Sequence, residues 1–419
     1  MKSLLIRDIV LDNKPADILI QGNRIKSIGR RLPKNAGRTV DGRGLTALPP
    51  LFNCHTHAAM SLLRGYADDM RLSEWLQTRI WPAEARFSRD DVRIGARLAC
   101  LEMIKSGTTF FNDMYWHGRA AAEAAEEMGM RAVIGAGFID GGDPARGAAQ
   151  RRMLEEVRQE LSGFSSRILF APGPHAIYTV SSESLRFIKA FAGEWGLPIH
   201  IHLSETESEV NDSIGAHKLR PAEYLDSLGF LGPEVFAAHC LHLSEREVDL
   251  LAASRVKIIH VPASNLKLAA GGQMPYRALT KAGASVLLGT DGCSSNNSLD
   301  MFQTMKMAAL LQKHAANDPA SLPAPDAWAM ATAVAAQAFG IDAGRIEEGR
   351  LADLILVDLD RPECAPGYNL AADLVYSANG YCVDTVVCDG RVLMLRRKVP
   401  GEEEIIADAR RAARRLANA

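Results

Sequence analysis

The chain has 419 residues, with 48 basic and 50 acidic side chains and a formal net charge of -2. That balance excludes a general polyanion-binding role, so no nucleic-acid partner is expected. The opening apolar stretch is too short for a secretory leader, and no apolar run approaches the ~20 residues that cross a bilayer, so no membrane role is expected either.

Along residues 1–49, strand-like runs at 3–11, 16–21, 24–28 and 38–40 alternate with Gly and Asn turns. From about 50 to 340 the pattern changes. Short apolar runs at 45–53, 108–114, 132–138, 168–171, 199–203, 235–238, 256–261 and 286–289 read as strands. Helical patterns at 89–105, 119–128, 153–161, 183–195, 221–228 and 245–252 lie between most of them. Eight such β/α units predict a (β/α)8 TIM-type barrel over 50–344. The competing architecture is an open doubly wound sheet, but no Gly-x-Gly-x-x-Gly or phosphate-loop signature supports a nucleotide-binding version. Strand patterns return at 353–359 and 385–395, the second broken by the hairpin signal Asp389-Gly390. The two ends, 1–49 and 345–400, are expected to combine into a small β-sandwich domain, with a C-terminal helix over 401–419. Its Arg410, Arg411, Arg414 and Arg415 read as a solvated helix face. Seven scattered cysteines without a Cys-x-x-Cys pair fit free thiols in a cytoplasmic protein.

A barrel carries its chemistry at the carboxyl ends of its strands. Of eleven histidines, five (His55, His57, His175, His202 and His239) fall at predicted strand ends, and Asp291 closes the eighth strand. Residues two apart on a strand share a face, so His55 and His57 can grip one ion together. The expected ligand set is His55, His57, His202 and Asp291, which suits one divalent ion, Zn2+ or Fe2+. His200 and His202 share a face, so spacing leaves the choice open; His202 is preferred as nearer the strand end. Glu205, three residues on, is placed to move protons, against the bland reading of a solvated acidic run with Glu207 and Glu209. His239 either orients an attacking water or is a satisfied buried histidine. Asp113 reads as a supporting or capping carboxylate, and His217, His242, His260 and His314 carry no functional reading.

Taken in order, these features resemble the amidohydrolase superfamily over essentially the whole chain. The features are His55-Thr56-His57, the strand-five and strand-six histidines, Thr290-Asp291-Gly292 and the turn from Gly344 to Asp353. No lysine ends the fourth strand, where two-metal members carry a bridging lysine, which favours one metal. Several stretches are similar to the 5-methylthioadenosine/S-adenosylhomocysteine deaminase family. They run from His55 to Gly65, Ser73 to Leu76, Pro82 to Glu84, Gly173 to His175 and Pro262 to Leu268, with Asp291 and Ser295 to Ser298. The resemblance implies a metal, with Zn2+ first and Fe2+ the alternative, on His55, His57, His202 and Asp291. It makes Asp291 also the base and Glu205 the proton shuttle. Glu84 would hold the ribose hydroxyls, and His175 would contact a small-molecule nucleoside.

Two departures stand out. Pro50-Leu51 replaces the usual Pro-Gly, and Ala136 replaces an arginine that some relatives use for a substrate carboxylate; Arg146 or Arg151 are the substitutes considered. The implied reaction is hydrolytic deamination, at C6, of 5-methylthioadenosine, S-adenosylhomocysteine, 5'-deoxyadenosine or adenosine to the inosine analogue and ammonia. The missing arginine shifts the expectation toward the smaller 5' groups. Competing readings are a deaminase or hydrolase of guanine, pterin, cytosine or a triazine, and, more remotely, a non-catalytic metal-binding scaffold. A homo-oligomer is expected.

Overall fold

The computed structural model describes residues 3–33 and 36–417; residues 1, 2, 34 and 35 of the expected small β domain and 418 and 419 of the expected C-terminal helix lie outside these. Five strands open the chain: β1 (Ser3–Leu11), β2 (Lys14–Gln21), β3 (Arg24–Gly29), β4 (Arg38–Asp41) and β5 (Leu45–Leu48). Eight follow in the centre: β6 (Leu51–Thr56), β7 (Thr108–Tyr115), β8 (Arg131–Phe138), β9 (Ile168–Pro174), β10 (Ile199–Leu203), β11 (Val235–His239), β12 (Lys257–His260) and β13 (Ser285–Leu288). Three close the chain: β14 (Leu354–Asp358), β15 (Val383–Cys388) and β16 (Arg391–Met394).

The terminal strands form one hydrogen-bonded sheet in the order β16-β15-β14-β5-β1-β2-β3, with β4 paired to β1. Its hairpins follow from turn chemistry. Asp12-Asn13 and Asp389-Gly390 both hold two successive positive φ angles, the backbone that matches the twist of paired strands. The two chain ends meet where β14 pairs antiparallel with β5. One apolar cluster, including Ile6, Ile18, Ile20, Leu354 and Val387, unites both segments.

The eight central strands form two four-stranded parallel sheets, β6-β7-β8-β9 and β10-β11-β12-β13. Backbone hydrogen bonds join them at their carboxyl ends. His202 N–H donates to the His175 carbonyl (3.0 Å), and Asp291 N–H to the His55 carbonyl (2.9 Å). Fully buried strand residues such as Phe52, Phe110, Ile259 and Leu287 make an apolar plug with Phe339, whose ring lies 4.6 Å from Phe110. The polar rim is therefore confined to the other end of the strands.

One expected strand is corrected. The run at 45–53 is two strands, separated by Pro49-Pro50, and the second extends to Thr56. Two prolines in succession offer no N–H to a ladder, and here the chain leaves the terminal sheet for the parallel one. Leu51, in place of glycine, is fully buried, and its N–H donates to the Gly107 carbonyl at 3.0 Å. After β6 the chain makes a helical insert, Ala58–Leu63 and then Leu72–Trp75, a π-helical turn Leu76–Ile80, and Trp81–Glu84. The final helix, Glu402–Ala417, buries Ile405, Ala409, Ala412 and Leu416 along one stripe while Arg410, Arg411 and Arg414 stay exposed. Arg415 is exposed as well, as expected of a solvated face, and pairs with Asp91.

Candidate active site

His55 and His57 leave the end of β6, His202 the end of β10, His239 the end of β11, and Asp291 the turn after β13. Hydrogen-bond partners decide which nitrogen of each ring faces inward, and for two rings the partner is a backbone carbonyl. His57 Nδ1–H donates to the Met114 carbonyl (2.6 Å) and His202 Nδ1–H to the His175 carbonyl (2.8 Å). Both Nε2 atoms then carry lone pairs, yet they face each other at 3.4 Å. His55 Nδ1 lies 2.7 Å from His200 Nε2, and His200 Nδ1 points to the Asp113 carbonyl at 3.4 Å. That chain of donors leaves His55 Nε2 buried and without a partner.

Asp291 completes the convergence. One of its carboxylate oxygens lies 3.2 Å from His57 Nε2 and 3.6 Å from His55 Nε2. Lone pairs and an anionic oxygen aimed at one point repel unless a cation sits among them, so the donor set fits a divalent metal ion. Burial alone would depress His57, but the Asp291 carboxylate outweighs it and lifts the imidazole to about 9. The same preference for positive charge is at work. Metal-compatible spacing links His55, His57 and Asp291, and separately His55, His202 and His239. His239 thus shares metal-compatible spacing with two of the four expected ligands, His55 and His202.

The remaining expected residues line one pocket over this centre: Glu84, His175, Glu205 and His239 with His57, His202 and Asp291. Glu205 is 7% exposed, which excludes the solvated reading. Burial pushes its carboxyl up, with Asp291 adding to the rise and His239, 3.8 Å away, opposing it. A protonated carboxyl there can donate. Glu84 is also raised by burial, with the neighbouring Tyr115 hydroxyl, His57 and Trp116 opposing the rise. His175 is held near pKa 3 by burial, so it is neutral. Trp75, Trp81, Trp116, Tyr178, Leu72 and Leu76 supply aromatic and apolar walls. Among the described residues no Lys or Arg lines the pocket. Arg151 is engaged with Glu183 at 2.7 Å, and Arg146 is exposed on its helix.

Sequence reasoning missed several supporting residues. Ser264 donates to Asp291, and Asn265 meets His239. Glu209, part of the solvated acidic run in the bland reading, is 5% exposed and accepts from the backbone N–H groups of Ser204 (3.0 Å) and Glu205 (2.8 Å). The cap signal Thr206-x-x-Glu209 was visible, since Thr206 accepts from Glu209 N–H. Asp113 accepts from Ala58 N–H at 2.7 Å and so caps the insert.

Residues 46–393 match the family model described as "Amidohydrolase family". The chain belongs to the amidohydrolase family. This amidohydrolase is 51% identical to a 5'-deoxyadenosine deaminase of Methanoregula boonei, over 99% of this chain and 95% of that one. It is 46% identical to a 5-methylthioadenosine/S-adenosylhomocysteine deaminase of Pelotomaculum thermopropionicum, over 97% and 95%. Among solved structures it resembles a zinc-bound adenosine deaminase of Xanthomonas campestris, with a TM-score of 0.93 and 33% identity over 100% and 99% of the two chains.

Proposed function

We propose that this amidohydrolase deaminates 5'-substituted adenosines hydrolytically at C6, giving the inosine analogue and ammonia. The convergence of His55, His57, His202 and Asp291, the last three of which line an aromatic pocket with Glu205, carries the reading. Relatives named for 5'-deoxyadenosine and 5-methylthioadenosine/S-adenosylhomocysteine deamination support the substrate class. One Zn2+ on those four residues is the proposed cofactor, with Fe2+ the alternative; zinc in the related Xanthomonas campestris structure supports the first. When bound, such an ion supplies Lewis-acid activation of water near neutral pH.

The chain's own groups do the rest. Glu205, its carboxyl raised by burial, donates to ring N1 and makes C6 electrophilic. Asp291 takes a proton from the water that adds to C6, and His239 holds that water in line. The proton on Asp291 then passes to the leaving amino group, which departs as ammonia. The new hydroxyl returns its proton to Glu205, so both carboxyls end as they began. His175 contacts the nucleoside as a neutral ring, and Glu84 holds the ribose hydroxyls.

A pocket without Lys or Arg suits 5'-deoxyadenosine and 5-methylthioadenosine better than the charged amino-acid tail of S-adenosylhomocysteine. The proposal includes closure of β6 to β13 into one barrel over 50–344, supported by the hydrogen bonds joining both sheets at their carboxyl ends. It also treats 1–49 with 345–400 as one sandwich-like domain, supported by their shared apolar cluster. No helix of the described residues is long and apolar enough to cross a membrane. A cytoplasmic setting, supported by seven unpaired buried cysteines, and a homo-oligomer complete the reading.

The test is ammonia release by the zinc-replete protein on adenosine, 5-methylthioadenosine, 5'-deoxyadenosine, S-adenosylhomocysteine, guanine and cytosine. Turnover of the adenosines with little on free bases is expected, and Glu84→Ala should raise KM for the nucleosides. Inactivity on every adenosine analogue overturns the proposal.

A further inference from the structure

The stretch from Pro262 to Leu268 resembles relatives yet has no task in the reaction above. It begins two residues after β12 ends, as the short helix Pro262–Lys267. Two of its neighbouring side chains reach two different groups of the site. Ser264, fully buried, donates to Asp291 Oδ2 at 2.6 Å. Asn265, 6% exposed, places its Oδ1 2.8 Å from His239 Nδ1.

Both targets need such support. Asp291 and His239 have φ of 67° and 72°, the left-handed region that side chains other than glycine rarely adopt. A backbone held there persists when its surroundings over-determine it. Asp291 Oδ2 is tied to Ser264, while Oδ1 accepts from Gly292 N–H at 2.7 Å and is the oxygen nearest His55 and His57. The Asn265 oxygen can only accept, so His239 must place its proton on Nδ1 and leave Nε2 with a lone pair. His57 and His202 are set the same way, but by backbone carbonyls.

We infer that Ser264 and Asn265 are a paired positioning element: Ser264 selects the Asp291 oxygen that faces the metal, and Asn265 selects the His239 tautomer that faces the substrate. The inference rests on the proposed hydrolytic site. A single chain segment thereby sets the orientation of both the proton acceptor and the water-holding ring. Neither residue lines the pocket.

The test uses full-length protein stripped of metal and titrated with Zn2+ against a chromophoric chelator. Ser264→Ala should weaken zinc by ~10- to 100-fold, the range for residues that orient ligands, and Ser264→Thr should recover it. Protein labelled with 15N-histidine reports the second arm, with the His239 signals assigned by their loss in His239→Gln. Asn265→Leu should move the His239 proton from Nδ1, whereas Asn265→Asp, still an acceptor, should keep it there. In both leucine and alanine variants kcat should fall with KM little changed. Wild-type zinc affinity in a folded Ser264→Ala, or an unchanged Nδ1–H tautomer in Asn265→Leu, overturns the inference. Should Ser264→Ala not fold, the Asn265 variants decide. Wild-type protein that neither binds zinc nor releases ammonia overturns the parent reading instead.

Discussion

The site turns on which nitrogen of each imidazole keeps its proton. Three rings are held with Nε2 inward, by two backbone carbonyls and by His200. Glu205 is then the group most sensitive to a one-atom change. Glu205→Gln removes the proton donor without touching a proposed ligand, so kcat should fall ~10²- to 10⁴-fold while zinc content, measured by atomic absorption, stays at the wild-type level. Parallel loss of zinc would show that Glu205 is a ligand instead. Glu209 permits a prediction with a definite sign. Burial raises its carboxyl from 4.5 to about 8, so the folded chain holds a proton there that the unfolded chain releases near 4.5. Stability from this group is full below 4.5 and is lost as pH rises toward 8. Wild-type Tm should therefore decline relative to Glu209→Gln across that interval; parallel curves would refute it. The sequence order made His55, His57, His202 and Asp291 legible, because strand ends converge by topology. Ser264 and Asn265 were not, since their partners lie 27 and 26 residues away and only the folded rim brings them together.

At the scale of elements, the strand count of the parallel sheets was readable from apolar runs, and the hairpins from Asp-Asn and Asp-Gly pairs. The break at Pro49-Pro50 was not, because both flanking segments are apolar and the run looks continuous. The insert between β6 and Arg89 was equally opaque. Its short turns are held by contacts such as Trp75 Nε1–H to the Ala67 carbonyl (2.9 Å) rather than by a repeating pattern. One clasp between elements was invisible in sequence. Arg131 at the start of β8 bonds Asp353 at 2.6 Å and Asp389 at 2.8 Å, tying the parallel sheet to the terminal one. Asp353 is fully buried, so Arg131→Met would strand its charge. A loss of ~3–5 kcal/mol in urea unfolding is expected. A loss below ~1 kcal/mol would mean that the apolar contacts, not the ion pair, hold the two sheets together.

The whole molecule is close to electroneutral, and its pocket is walled by aromatic and aliphatic side chains. A neutral nucleoside meets no long-range steering field there, so kcat/KM for 5'-deoxyadenosine should change less than about twofold between low and 0.5 M salt. A steep decline would point to a charged capture surface outside the pocket. The terminal sheet carries a different lesson, about order of manufacture. β5 emerges from the ribosome some three hundred residues before its neighbour β14, since they pair through Leu48 with Ile355. Throughout synthesis of the catalytic region one edge of β5 waits open, a template for the wrong strand. The last-made segment acts as the zip fastener of the fold, and crowding on a polysome is where two nascent copies would compete to close it.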